Sequence, residues 1–477
     1  MPSLSVLPNL TESVSTLSQL AAAVNETDAQ ARCIDITHCR TIWNIIWSCL
    51  ATIFACAWVA VHRNVPDPAS SMTRVSLDRI AITICALLVP EYMIGWAARQ
   101  WLVAHRIAKK NEGLAEEARR RVLPVQVHAA RDSAIWLQFE EPYKILLLEE
   151  ANQVYRHDQA MKTKAMTDKG WTGTWYRFHA KFVSNDDPKW TNTHGFFTLM
   201  GGFYYLEPGN DPRPLSPEEV ENHIKNGSLE LPDKSDISDK SKGDALSKLF
   251  ASLQTIWFVM QSIARPIQHL PLTKLEIATL AYTSINVAMY GFWWYKPLSV
   301  GRPVRVRRSN VPDTPTPPTS PPSGKLVTLM KAVIGAQDHG VDLFRLSKVP
   351  TFYAGVPNNT ELLTADAIAL GFAMVFGAVH CIAWSFVFPS HAEKLIWRIA
   401  SIALVGVPAI YIFLLGLWAR KPESRKAITI FLLLLLIGIP FYLLARVVLL
   451  VLAFTTLRSL PPAAFETVHW TTFIPHV

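Results

Sequence analysis

The stretch Ala245–Leu298, ALSKLFASLQTIWFVMQSIARPIQHLPLTKLEIATLAYTSINVAMYGFWWYKPL, constrains the fold more than any other part of the chain. An apolar run from Leu249 to about Ala264 meets Arg265-Pro266 and Leu270-Pro271. Proline cannot extend a helix and turns the residue before it away from helical backbone. A second run restarts behind a capping box, Thr273 with Glu276 three residues on. About 20 mostly apolar residues follow, the length of one membrane crossing. They close on an aromatic girdle, Phe292, Trp293, Trp294 and Tyr295, with Lys296-Pro297 expected in water. Two membrane helices joined by a tight break are predicted, and the class that follows is an all-α, multi-pass membrane protein.

Composition agrees. Half of the 477 residues are hydrophobic, and they gather in long runs. The net charge of +8 lies mostly beside those runs, which reads as membrane orientation; no nucleic-acid-binding motif accompanies it. Cys49, Cys56, Cys85 and Cys381 sit inside apolar segments as small packing residues. Cys33 and Cys39 flank a polar stretch and can pair if that stretch is extracytosolic. No spacing of Cys and His suggests a metal site, and no cofactor is implied.

Taken in order, residues 1–41 are Ser/Thr-rich, expected to be disordered up to about residue 38, and carry glycosylation sequons at Asn9 and Asn25. Two spans are expected within 42–103: Ile42–Val61, and Ile80–Val103 with Pro90-Glu91 near its middle. A polar insert of roughly 140 residues, 104–244, follows between spans 2 and 3. It is read as water-exposed, with an aromatic, glycine-bearing stretch at Trp190–Leu206 taken as a strand or packed loop. A helix start is predicted at Ser216-Pro217-Glu218-Glu219 and a stop at Asn226-Gly227. After the hairpin at 245–298 comes a basic and Pro-rich linker region, 299–364, in which Thr314, Thr316 and Ser320 each precede proline and suit a proline-directed kinase. Three apolar runs fill 365–457, the last kinked at Pro440, and a tail occupies 458–477.

About seven spans result. Collecting the basic flanks of 104–245, 296–364 and 419–426 in the cytosol puts the N-terminus inside and the C-terminus outside, whereas the sequons and the Cys33/Cys39 pair favour an external N-terminus.

The chain also resembles a family of uncharacterised multi-pass membrane proteins of filamentous and mushroom-forming fungi. The resemblance rests on IIWSCLATIFACAWVAVH at 45–62, PEYMIGWAARQW at 90–101, WTNTHGFFTLMGGF at 190–203, SKGDALSKLFASLQTIWFVMQSIAR at 241–265, LPLTKLEIATLAY at 270–282, WWYKPL at 293–298 and the closing WTTFIPH. It implies a membrane location, in the plasma membrane or an endomembrane, and no particular activity.

Two groups of residues can carry chemistry. Gln254, Gln261 and Arg265, spaced by seven and four, share one helical face, and Asn286 lies on the partner helix. They read as interhelical hydrogen bonds, worth about 0.6–2 kcal/mol each, or as a polar pathway. Glu91 and Arg446 are ionisable residues inside apolar runs, a coupling carboxylate with a cationic partner or two separately satisfied side chains. No nucleotide-binding or hydrolase motif is present. The expected function is a transport- or channel-like bundle with membrane lipids as partners. A scaffold or sensor with a regulated cytosolic linker, and a membrane-embedded lipid-modifying enzyme, are the alternatives.

Overall fold

The structure, a computed structural model, describes residues 39–131, 189–205, 212–229, 231–241, 244–306, 338, 341–420 and 425–470. The sequons at Asn9 and Asn25, the Cys33/Cys39 pairing, the prolines of 309–324 and the kinase candidates Thr314, Thr316 and Ser320 all involve residues outside these.

The chain is mostly helical. Helix α1 is Ile42–Val59, α2 Met72–Leu88 and α3 Pro90–Arg131. Next come α4, Asn192–Leu199, and the strands β1, Phe203–Tyr205, and β2, Arg213–Pro214. Helices α5, Pro217–Lys225, and α6, Lys234–Asp239, precede the hairpin pair α7, Asp244–Ile267, and α8, Lys274–Phe292. Strand β3, Val304–Val306, precedes the last three helices: α9 Asn359–Cys381, α10 His391–Arg420 and α11 Arg425–Thr455.

The helix starts read from the sequence form as expected. Thr273 and Glu276 cap α8 reciprocally, Ser216 and Glu219 do the same for α5, and Gly227 beyond α5 takes a φ of +64°. Helix α7 runs slightly further than expected. Pro266 sits in its last turn, and His269, with φ +58°, reverses the chain while the Leu270 amide bonds to the Arg265 carbonyl.

Among the described residues, four helical segments are long and apolar enough to cross a membrane: Ile42–Val59, Asn359–Ser385, His391–Trp418 and Leu436–Ser459, or five if α2 and the first part of α3 count as one bent span. Helices α7 and α8 fall short of that standard, because α7 carries glutamines and an arginine and α8 opens on Lys274 and Glu276. Their packing is nevertheless that of a bundle core. Helix α8 packs against α1, α3, α7, α9 and α11, and both charged residues of its first turn are buried.

The expected second span is not one helix. It breaks at Val89, and α2 and α3 meet there at 111°. Val89 precedes proline and adopts φ −139°, ψ 62°, outside the helical region, and Pro90 then begins α3. Contacts fix the direction of each helix. The start of α1, the end of α7, the start of α8 and the stretch after α11 share one end of the bundle: Arg40 pairs with Glu276, and Arg265 donates to the carbonyls of Ala464 (3.2 Å) and Glu466 (2.8 Å). The end of α9 joins them through Lys274 and the Val387 carbonyl, and the start of α10 through Glu393 and Arg458. Cys39 bridges to Glu466, and the Arg40 amide bonds to the Phe465 carbonyl at 2.7 Å. The approach to α1 and the exit from α11 therefore lie at the same end, where the expected inside N-terminus and outside C-terminus need opposite ends.

The other end carries a small cap. Strand β1 pairs antiparallel with β2 and parallel with β3, giving the order β2-β1-β3. The expected linker 299–364 thus begins by completing the sheet of the insert. The cap has its own core, including Trp190, Phe197, Phe203, Val220 and Val306, and joins α3 through α4. Gly195 lies against the Ala104 carbonyl so closely that a Cβ there would strike backbone.

Lys296 is buried at this junction, only 1% exposed, and does not end the hairpin in water. Its ammonium donates to the His62 carbonyl, Asn64 Oδ1 (3.2 Å) and Gln100 Oε1 (2.8 Å), and lies 4.8 and 5.1 Å from the Trp96 and Trp293 rings. Burial pushes its pKa well down, while three oxygens and two indole faces favour the charged form.

Candidate functional site

The break between α2 and α3 builds the first group. Helix α2 starts beside the cap, where the Val65 amide in the connection before it donates to the Met200 carbonyl at 2.9 Å. It runs inward until the Leu87 carbonyl accepts the Tyr282 hydroxyl at 2.7 Å, midway along α8. Helix α3 then returns to the cap. The corner of this V places Glu91 inside the bundle, 9% exposed. Its carboxylate takes a hydrogen bond from the Arg446 guanidinium on α11 and one from the Tyr442 hydroxyl at 2.7 Å. Arg446 also reaches the Tyr282 hydroxyl at 3.4 Å and lies 4.1 Å from the Phe376 ring. His380 follows one turn along α9, its Nδ1 2.8 Å from the Phe376 carbonyl.

Two turns further along α3 the polarity reverses. Arg99, 2% exposed, pairs with Asp366 on α9 at 3.2 Å, while its Nε and Nη2 have no partner among the described residues. The structure thus joins Glu91 to Arg446, two of the residues singled out in the sequence, and adds a second pair that sequence reasoning missed. The signals for it were an arginine eight residues from Glu91, on the same helical face, and an aspartate inside the run Ala365–Phe388.

The second group is a cleft of about 580 Å³ between α1 and α7, roofed by residues 467–470. Gln254, Gln261 and Arg265 line it from α7, as their spacing predicts, and Asn44, Trp47, Ser48 and Ala51 line it from α1. Gln254 closes the inner end by donating to Thr52 Oγ1 at 3.0 Å. Arg265 occupies the outer end with Arg40, and Trp257 stacks on Trp470 with ring centroids 4.9 Å apart. Asn286 joins neither group. It is 1% exposed in the bundle core, beside the Cys56 thiol of α1. Among the described residues, no three His, Cys, Asp or Glu side chains are grouped to hold a metal ion.

Residues 14–137 and 174–313, more than half of the chain, match the sequence family described as "Family of unknown function (DUF8562)". The chain belongs to DUF8562. Neither a curated protein nor a solved structure matches it. The DUF8562 match includes α1, α2, α7 and α8 and both walls of the cleft, but not its roof at 467–470, together with Glu91 and Arg99. The partners Asp366 and Arg446, on α9 and α11, lie beyond the matched segments.

Proposed function

We propose that the protein is an integral membrane protein working as a transport- or channel-like helical bundle. In this reading six helices cross the bilayer, α1 and α7–α11, rather than the seven spans read from the sequence. The pair α2–α3 dips in from the cap side and returns. The observation that carries the reading is the corner at Val89–Pro90, which holds a carboxylate against a buried arginine inside apolar helices. Broken or re-entrant helices are tolerated at membrane depth only where protein or a water-filled cavity surrounds them, and they often build transport sites. Intramembrane charges that pair within a bundle mark ion and substrate pathways.

Side-chain exposure supports α7 as a crossing. Leu249, Leu253, Ile256, Met260, Ile263 and Ile267 are each at least 45% exposed along one face, while Arg265 and Phe258 turn inward. Such an inverted amphipathic helix suits lipid outside and polar groups inside. Orientation also becomes consistent. With six crossings, the cap, the α1–α2 connection, the end of α10 and the start of α11 share one side and collect Arg63, Arg74, Arg79, Arg106, Lys109, Lys110, Arg420 and Arg425 there. By the positive-inside rule that side is cytosolic, and the N-terminal sequons then lie outside.

The test is proton flux into liposomes holding a pH-sensitive dye, under an imposed pH difference. Protein-bearing liposomes should relax faster than empty ones, and Glu91→Gln should fold but relax as slowly as empty liposomes. Equal relaxation by wild type and Glu91→Gln, or by wild type and empty liposomes, would overturn the coupling role.

A further inference from the structure

The cleft between α1 and α7 has a chemistry of its own. Its volume, about 580 Å³, suits a small molecule or one lipid head. Two arginines at its mouth suggest an anion site at first sight, but their donors are already engaged. Arg265 gives Nε and Nη2 to the Pro271 carbonyl (3.2 and 3.0 Å), Nη1 to that of Glu466 (2.8 Å), and Nη2 also to those of Ala463 and Ala464. Arg40 gives Nε to the Ala464 carbonyl at 2.8 Å and both terminal nitrogens to Glu276. The carboxylates of Glu276 and Glu466 stand within electrostatic range of Arg265, so two negative charges balance two positive ones.

What remains available in the cleft is neutral. Gln261 and Asn44 have no side-chain partner among the described residues, the Gln254 carbonyl oxygen is not used in its bond to Thr52, and the Ser48 hydroxyl can accept after donating to the Ile45 carbonyl. Each amide both donates and accepts, which suits hydroxyl groups and offers nothing specific to a phosphate. Trp47, 72% exposed, and Trp257, 45% exposed, supply flat walls with a polar N–H edge. Below them α1 exposes Leu50 and Phe54, and α7 exposes Phe250 and Leu253, an apolar path toward the bilayer interior.

We infer that this cleft binds an uncharged, hydroxyl-rich lipid head of the glycoside type, with its tails along the exposed apolar faces of α1 and α7. Several amide positions favour a polyol over the single hydroxyl of a sterol. The inference rests on the membrane placement proposed above, which sets the cleft on the side away from the cytosolic leaflet where anionic lipids concentrate.

The experiment uses the full chain in detergent with two probes of matched chain length, glucosylceramide and phosphatidylserine. Native mass spectrometry reads retention, and thermal melting reads stabilisation. Glucosylceramide should be retained at one per chain and raise the melting temperature, with phosphatidylserine doing neither. Gln261→Leu combined with Asn44→Ala should weaken retention about tenfold or more while melting as wild type without lipid; Gln261→Asn, which keeps the amide, serves if the double variant fails to fold and should retain part of the binding. Equal retention of phosphatidylserine, retention of neither probe, or unchanged glucosylceramide binding by the amide variants would overturn the inference. Alkaline carbonate washing of membranes tests the placement separately: protein released by it would defeat the membrane reading itself, whereas protein that stays embedded and binds no glycolipid defeats only the ligand class.

Discussion

Glu91 and Arg446 are 355 residues apart and meet inside the bundle. Each was legible as an ionisable residue inside an apolar run, but their contact was not, because sequence gives no common depth for residues on α3 and α11. The break at Val89 supplies it. Glu91→Leu leaves Arg446 buried without its carboxylate and should cost about 3–5 kcal/mol, read as a large drop in melting temperature. Glu91→Gln keeps an acceptor and should lose much less, and Glu91→Leu with Arg446→Leu should recover most of the loss. Lys296 was misread because aromatic residues before a Lys-Pro pair resemble an interfacial belt. The side chains that enclose it, Asn64, Trp96 and Gln100, come from distant segments. Asp338, outside the crossing helices, accepts the Ala354 amide at 2.6 Å and is influenced by Arg99; burial raises its pKa from 3.8 to about 7. The unfolded chain ionises this carboxyl first. Its contribution to stability is therefore complete below pH 3.8 and lost as pH rises to about 7. Melting temperatures across that range should fall more steeply for wild type than for Asp338→Asn; parallel curves would contradict the assignment.

At the scale of elements, the capping boxes of α5 and α8 were legible because they are local, three residues long and chemically distinctive. The V of α2 and α3 was not. An apolar run interrupted by proline reads equally as a kinked span, and the 111° turn packs against α8, where the Tyr282 hydroxyl donates to the Leu87 carbonyl. Close approach is equally hidden: at Gly377 on α9 a Cβ would stand 2.7 Å from the Leu404 carbonyl carbon on α10. For α7 the period of its polar residues was read correctly, and the cleft they line follows from it. Ile256, 54% exposed on the opposite face, tests which medium surrounds that helix. In lipid, Ile256→Asp should impair insertion by about 2.5–3.5 kcal/mol and lower the membrane-integrated yield. An unchanged yield and melting temperature would mean that this face meets water.

For the whole molecule, apolar runs alone supply helices long enough to cross a membrane, whereas the number of crossings in the proposed reading depends on how segments pack. Counting runs gives seven, whereas Cys39 and Arg40 meet Phe465 and Glu466 at one end of the bundle, which under the proposed membrane placement implies an even number. The α1–α2 connection lies on the side of the cap, and under the proposed six crossings the basic flanks agree with the N-terminal sequons. Mapping glycosylation in cells, with an acceptor-bearing linker inserted at Ser70 between α1 and α2, tests the six-crossing account most directly. The account predicts glycan on the natural sequon at Asn25 and none on the inserted linker or on Asn226, which opens the sequon Asn226-Gly227-Ser228 in the cap. Glycan on the linker with Asn25 unmodified would contradict it, restoring a full second crossing and removing Glu91 from the tip of a re-entrant pair.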